Sequence, residues 1–138
     1  MAITITKVSF TADSAFARDP RELAELVVDV AFDDSYPTGG ETFDVSTWLS
    51  SVYSVTHVPS DAAAEGLAGA RVYAHDKGTA AAGLLLVYLE DAVSGIYAEE
   101  TAATDLSTLT AVRFKVLGPV AANYSAAAPT SSSNLGAF

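Results

Sequence analysis

Leu26-Val27-Val28-Asp29-Val30-Ala31-Phe32 runs directly into Asp33-Asp34-Ser35-Tyr36-Pro37-Thr38-Gly39-Gly40-Glu41. The first half is rich in β-branched residues, whose stiff side chains fit a pleated strand better than a helix. Val28, Val30 and Phe32 fall on one face of such a strand, with Asp29 on the other. Leu23, Leu26, Val27 and Val30 also fit a helical period, so a short helical start over residues 21–25 stays open. The second half must turn. Pro37 fixes one backbone angle, and Gly39-Gly40 permits the positive φ that other residues avoid.

The same reading extends outward in both directions. Ile3 and Ile5 alternate with Thr4 and Thr6, a period-2 strand signal over residues 3–10. Residues 11–20 are small and polar, and read as a loop closed by Pro20. Asp44-Val45-Ser46-Thr47-Trp48-Leu49 fits one helical turn capped by Asp44 or Ser46. Val52, Val55 and Val58 mark a strand stopped by Pro59. Residues 60–69, rich in Ala, Gly and acids, read as a loop or short helix. Residues 70–75 and 83–89 pair as a hairpin across 76–82, and residues 96–98 fit a short strand. Val112, Phe114 and Val116 alternate with Arg113 and Lys115 in the plainest strand of the chain, which Gly118-Pro119 should stop. Six or seven short strands without regular helices predict an all-β fold, an antiparallel β-sandwich or jelly-roll-like barrel. That domain covers residues 1–118. Residues 119–138 carry no charged side chain and form an extended C-terminal tail with Val120, Tyr124, Leu135 and Phe138 as isolated apolar anchors. Such a tail can dock on its own domain, a sister subunit or a different partner.

Composition excludes several classes. The 138 residues suit one domain with a real core. Seventeen acids against seven Lys and Arg give a net charge of −10, all of the acids preceding the tail. Such a surface repels nucleic-acid phosphates, so no nucleic-acid partner is expected. With no cysteine there is neither a disulfide scaffold nor a thiolate zinc site. The N-terminus lacks the pattern of a secretory signal, and the longest apolar run, residues 80–88, falls well short of a spanning helix, so no membrane partner is expected.

Chemistry-bearing patterns are scarce. His57 and His75 are the two histidines, and both are expected on strand surfaces. His75 and Asp76 are strand neighbours, so their side chains should diverge. No serine stands in a Gly-x-Ser-x-Gly elbow, and Gly39-Gly40 lacks the Lys-Ser/Thr of a phosphate loop. The acids group as Asp29/Asp33/Asp34, Glu90/Asp91 and Glu99/Glu100 without the spacing of a calcium loop, and are expected to be solvated strand ends. Trp48, Tyr53, Tyr73, Tyr88 and Tyr97 pack the core or line a sugar platform. No catalytic residue, metal or cofactor is expected.

The stretch Phe32-Asp33-Asp34-Ser35-Tyr36-Pro37-Thr38-Gly39-Gly40-Glu41 resembles a segment common in small virion proteins of tailed bacteriophages. In those proteins a hydrophobic strand runs into it, and an Asp-containing turn and a further strand follow, as Phe43–Leu49 and Val52–Val58 do here. A strand pair matches residues 71–75 and 84–89. Thr104-Asp105-Leu106-Ser107-Thr108-Leu109-Thr110 is similar to the segment that leads into the family's last strand. Residues 60–69 and the uncharged tail depart from the pattern. The resemblance implies a structural virion protein that decorates or cements the outside of a capsid, without catalysis. Its partner would be the major capsid protein, and it would form a homo-oligomer, a trimer fitting the local threefold positions of a shell. A tail, neck or fibre-associated virion protein is the alternative, and a carbohydrate-binding β-sandwich the alternative of another class. The turn residues Tyr36, Pro37, Gly39 and Gly40 carry the resemblance, and the tail anchors would hold the partner. Manufacture in the host cytoplasm and residence on the virion surface follow from the same resemblance.

Overall fold

A computed structural model describes residues 2–13, 23–59, 71–76, 79–90 and 94–125. Its strands, in chain order, are β1 (Thr4–Phe10), β2 (Leu23–Ala31), β3 (Glu41–Phe43), β4 (Ser54–Val58), β5 (Arg71–Asp76), β6 (Gly83–Glu90), β7 (Tyr97–Glu99) and β8 (Val112–Pro119), with a 3-10 turn at Thr11–Asp13. The fold is all-β. Two antiparallel sheets form, one in the order β1-β2-β8-β4 and the other β3-β6-β5, with β7 also on β6. Neither closes on itself, so the arrangement is that of a sandwich and the barrel alternative falls away.

The register explains which residues enter the core. On β2 and β8, Leu26 lies opposite Val116, Val28 opposite Phe114 and Val30 opposite Val112. All six are buried on the inner face. Across the gap, Leu85 and Val87 of β6 and Phe43 of β3 complete the core. Burying each of these large side chains contributes about 1.5–3 kcal/mol against the entropy of ordering the chain. Phe114 sits at the centre, with edge-on contacts to Phe43 at 6.2 Å and Tyr73 at 5.4 Å between ring centroids.

Two expectations change. Residues 23–25 are strand from the first, not a helical start, because Ala24 pairs with Gly118 and is buried inside the sheet. Gly118-Pro119 does not stop the last strand. β8 continues through Pro119, and Val120 bridges to Leu49 beyond it. Gly118 is required there, since a Cβ would fall 2.0 Å from the Ser51 carbonyl oxygen. Residues 44–49 make the expected single turn. The Asp44 carboxylate accepts the Ser46 N–H at 3.0 Å, and Val45 O accepts from both Trp48 and Leu49.

Candidate interaction surface

The two sheets present unlike outer faces. On the first, Asp29 grips Arg113 with two parallel hydrogen bonds of 2.8 and 2.9 Å, and Lys115 lies 4.0 Å from Glu25. The Asp29 carboxylate holds Arg113 above its ordinary pKa. Thr4, Thr6 and Thr56 fill further outward positions. Leu23, outward on β2, and Val8 of β1 are 56% and 44% exposed, so this face mixes paired charge and threonines with single apolar side chains.

The second sheet's outer face is apolar. β6 places Leu85 and Val87 inward, so Leu84, Leu86 and Tyr88 point outward, half-buried. The register sets Ala74 beside Leu86 and Val72 beside Tyr88. Val72 is 44% exposed, and Tyr97, at the same end of the sheet, 45%. Among the described residues, charge enters from Asp76 opposite Leu84, Glu90 opposite Tyr97 and Glu99 opposite Tyr88. An unbroken apolar run such as residues 84–89 fits a strand whose two faces both leave water.

The geometry of this sheet depends on the Tyr36-Pro37-Thr38-Gly39-Gly40 turn. β3 and β7 both lie on the edge of β6 away from β5, one against residues 83–85 and the other against 88–90. Tyr36, 1% exposed, fills the interval between them. Its hydroxyl accepts the Val87 N–H at 3.1 Å and donates to the Glu99 carboxylate at 3.0 Å. The same Glu99 oxygen accepts the Gly39 N–H at 2.7 Å. Burial, reinforced by the Glu99 charge, pushes the Tyr36 hydroxyl up to about 12. Gly39 and Gly40 have φ of +94° and +101°, as the turn demands. Pro37 accepts the Gly40 N–H at 3.2 Å through its carbonyl, which closes the turn. A side chain at Gly40 would meet Leu85 O at 3.0 Å and Leu86 Cγ at 3.1 Å, so the turn packs directly on β6.

The acids expected to be solvated strand ends are mostly engaged. Glu99 holds the turn, and Glu100, buried, binds Arg71 at 2.9 Å. Glu41 is 3% exposed, hydrogen-bonded to Asp33, and pushed up to about 7 by burial and by the Asp33 charge. Asp33 in turn accepts the Ser35 N–H at 2.9 Å. Among the described residues no three potential ligands cluster around a metal position; Asp91 lies outside them. The histidines also differ from expectation. Both occupy inward register positions, because β4 and β5 are paired so that His57 lies beside Phe114 and His75 alternates with exposed Ala74 and Asp76. His57 packs 4.7 Å from the Tyr73 ring, and His75 sits edge-on to Phe43 at 5.7 Å. Burial pulls the His75 imidazole below its ordinary pKa.

Of the tail anchors, Val120 and Tyr124 pack against the chain's own core. Tyr124 meets Phe10 edge-on at 5.1 Å, and its hydroxyl lies 3.4 Å from Lys7 Nζ. Leu135 and Phe138 lie outside the described residues. No family model, curated protein or solved structure matches the chain.

Proposed function

We propose that the chain is a non-catalytic structural protein of a tailed-phage virion, bound to the outside of the capsid and stabilising it. The observation that carries this reading is the run of apolar side chains Leu84, Leu86, Tyr88 and Val72 on the outer face of the second sheet, where the first sheet's outer face holds the Asp29–Arg113 ion pair. A chain of net charge −10 can approach another surface through such a face without stripping water from its ion pairs. The turn that resembles the phage segment holds this same sheet together, which links the resemblance to the face. The partner is then the major capsid protein, with a closed homo-oligomer, a trimer by preference, as the bound form.

A mass-spectrometric inventory of purified virions tests this. The expected result is a copy number comparable to that of the major capsid protein. A handful of copies per particle points to a tail or neck position, and absence from the particle overturns the proposal.

A further inference from the structure

The turn of residues 33–41 is bracketed by two carboxyls. Asp33 enters it, and Glu41 leaves it as the first residue of β3. The two side chains are hydrogen-bonded to each other. Glu41 is buried, and so is Oδ2 of Asp33, while Oδ1 accepts the Ser35 N–H at 2.9 Å. An ionised carboxylate only accepts hydrogen bonds, so this contact needs a proton on one of the two. Without it, two like charges face each other away from water.

The groups around Glu41 set the sense of the response. Burial raises its pKa most, the Asp33 charge raises it further, and the chain's amino terminus lowers it. On β6 the opposite residue is the apolar Leu85. Beyond it, in the same inward row, β5 places His75, which burial holds toward its neutral form. Glu99 faces the far part of the turn, through Tyr36 and Gly39. Asp34 and Asp44 are exposed.

We propose that the Asp33–Glu41 carboxyl pair is a proton-held latch on this turn: one shared proton keeps the turn shut against β6, and its loss lets residues 33–41 lift away while the two sheets stay folded. The connections explain why the opening is local. The turn is tied to residues 101–106 by the Tyr36 N–H on Thr104 O, the Ala103 N–H on Tyr36 O and the Leu106 N–H on Asp33 O. β3 holds β6 through three residue pairs, whereas β2 and β8 pair over eight. Segments with few such ties open at lower cost than the body of a domain. Lifting the turn withdraws the Tyr36 hydroxyl from the Val87 N–H. It also withdraws Gly40 from beside Leu86, whose side chain belongs to the apolar outer face. The shape of that face then depends on pH, whatever partner it meets.

An acid whose pKa is raised in the shut form binds its proton more tightly there than in the open form. The shut form is fully favoured below pH 4.5 and progressively less as the pH rises, levelling off above about 7. One proton makes the opening constant rise about tenfold per pH unit across that range.

Amide hydrogen exchange of the full chain, read by NMR at pH steps from 5 to 8 and divided by the intrinsic rate at each pH, measures the opening. The Tyr36, Gly39, Val87 and Ala103 N–H groups report the turn. The amides of β8, paired on both sides, report unfolding of the whole domain. The turn amides should exchange about tenfold faster than those of β8, or more, with an opening constant that climbs about tenfold per pH unit up to pH 7. Glu41→Gln should flatten that climb. Asp33→Asn keeps an acceptor for the Ser35 N–H and removes the second carboxyl, so it should shrink the climb. Turn amides that exchange no faster than those of β8 overturn the proposal, because the turn then opens only with the whole domain. So does an opening constant that stays level with pH in the wild type, or a climb as steep in either variant as in the wild type.

Discussion

Glu41→Gln should make the protein more stable at alkaline pH, by an amount that can be worked out beforehand. Glu41 opens β3 and is 3% exposed, against the Asp33 carboxyl. Its folded pKa is about 7 against an ordinary 4.5. The folded state thus binds this proton more tightly than the unfolded chain does. The associated stability is fully present below pH 4.5 and declines as the pH rises, levelling off above about 7. Two and a half pH units at about 1.36 kcal/mol each amount to about 3 kcal/mol lost from the wild type across that window. The glutamine amide imitates the neutral acid and does not titrate. Near pH 4.5 the two proteins should be close in stability, and above pH 8 the variant should lead by up to about 3 kcal/mol.

Urea unfolding followed by Trp48 fluorescence, at pH steps from 4.5 to 9, measures this. The difference between the two proteins cancels background terms such as the repulsion of a chain at −10. It also cancels His75, whose lowered pKa acts in the opposite sense: that stability is present above pH 6.5 and lost as the pH falls. Parallel profiles for wild type and variant would refute the reasoning, as would a wild type that gains on the variant with rising pH.

Tyr36→Phe removes the hydroxyl that accepts from Val87 and donates to Glu99, and should cost about 1–3 kcal/mol in thermal or urea unfolding, since a buried N–H is left unpaired. Gly118→Ala should cost about 3 kcal/mol or more in the same assay, because the Cβ would run into the Ser51 backbone and not into a side chain that can swing away. Val72→Lys, on the apolar outer face, should change unfolding free energy by no more than about 0.5 kcal/mol. If the proposed function is right, it should nonetheless abolish binding to purified capsids in a sedimentation assay, whereas Thr56→Lys on the other sheet should leave binding intact.

Much of the first sheet was legible in the sequence, because β1, β2 and β8 are paired with solvent on one side. Arg113 and Lys115 alternate with Val112, Phe114 and Val116, and this alternation states both the strand and its orientation. The second sheet was harder. Residues 84–89 mark a strand, but a run without alternation says nothing about which face is inward. That is fixed by the pairing of Leu85 with Glu41 and His75. The histidines were misplaced for the same reason: His57 and His75 are polar residues on inward positions, and only register reveals that. The Tyr36–Glu99 bond joins residues 63 apart. The turn itself was plain from Pro37, Gly39 and Gly40, but no local pattern announces its distant carboxylate. Nor did the composition of residues 119–125 show that Val120 and Tyr124 would pack onto the body, because that depends on Leu49 and Phe10 already lying side by side with them.

The contrast between the outer faces also bears on which of them an assembly can cover. Covering the first sheet would bury the Asp29–Arg113 pair, and taking two charges out of water costs several kcal/mol per ion unless their geometry and further hydrogen bonds repay it. The pair is well formed, but it is surface-exposed and screened by solvent, so it adds little where it stands. Among the described residues the outer face of the second sheet shows no such pair, and the Arg71–Glu100 pair of that sheet is already buried. Its Asp76 and Glu90 sit at opposite ends, where they can stay in water while Leu84, Leu86, Val72 and Tyr88 are covered. Placing the Tyr36 hydroxyl on the edge of β6 between β3 and β7, with the two glycines of its turn, keeps β3, β6 and β7 in one surface despite the brevity of β3 and β7. An apolar face needs that rigidity to bind by shape, since a short strand free to fray would charge its ordering entropy against every contact made.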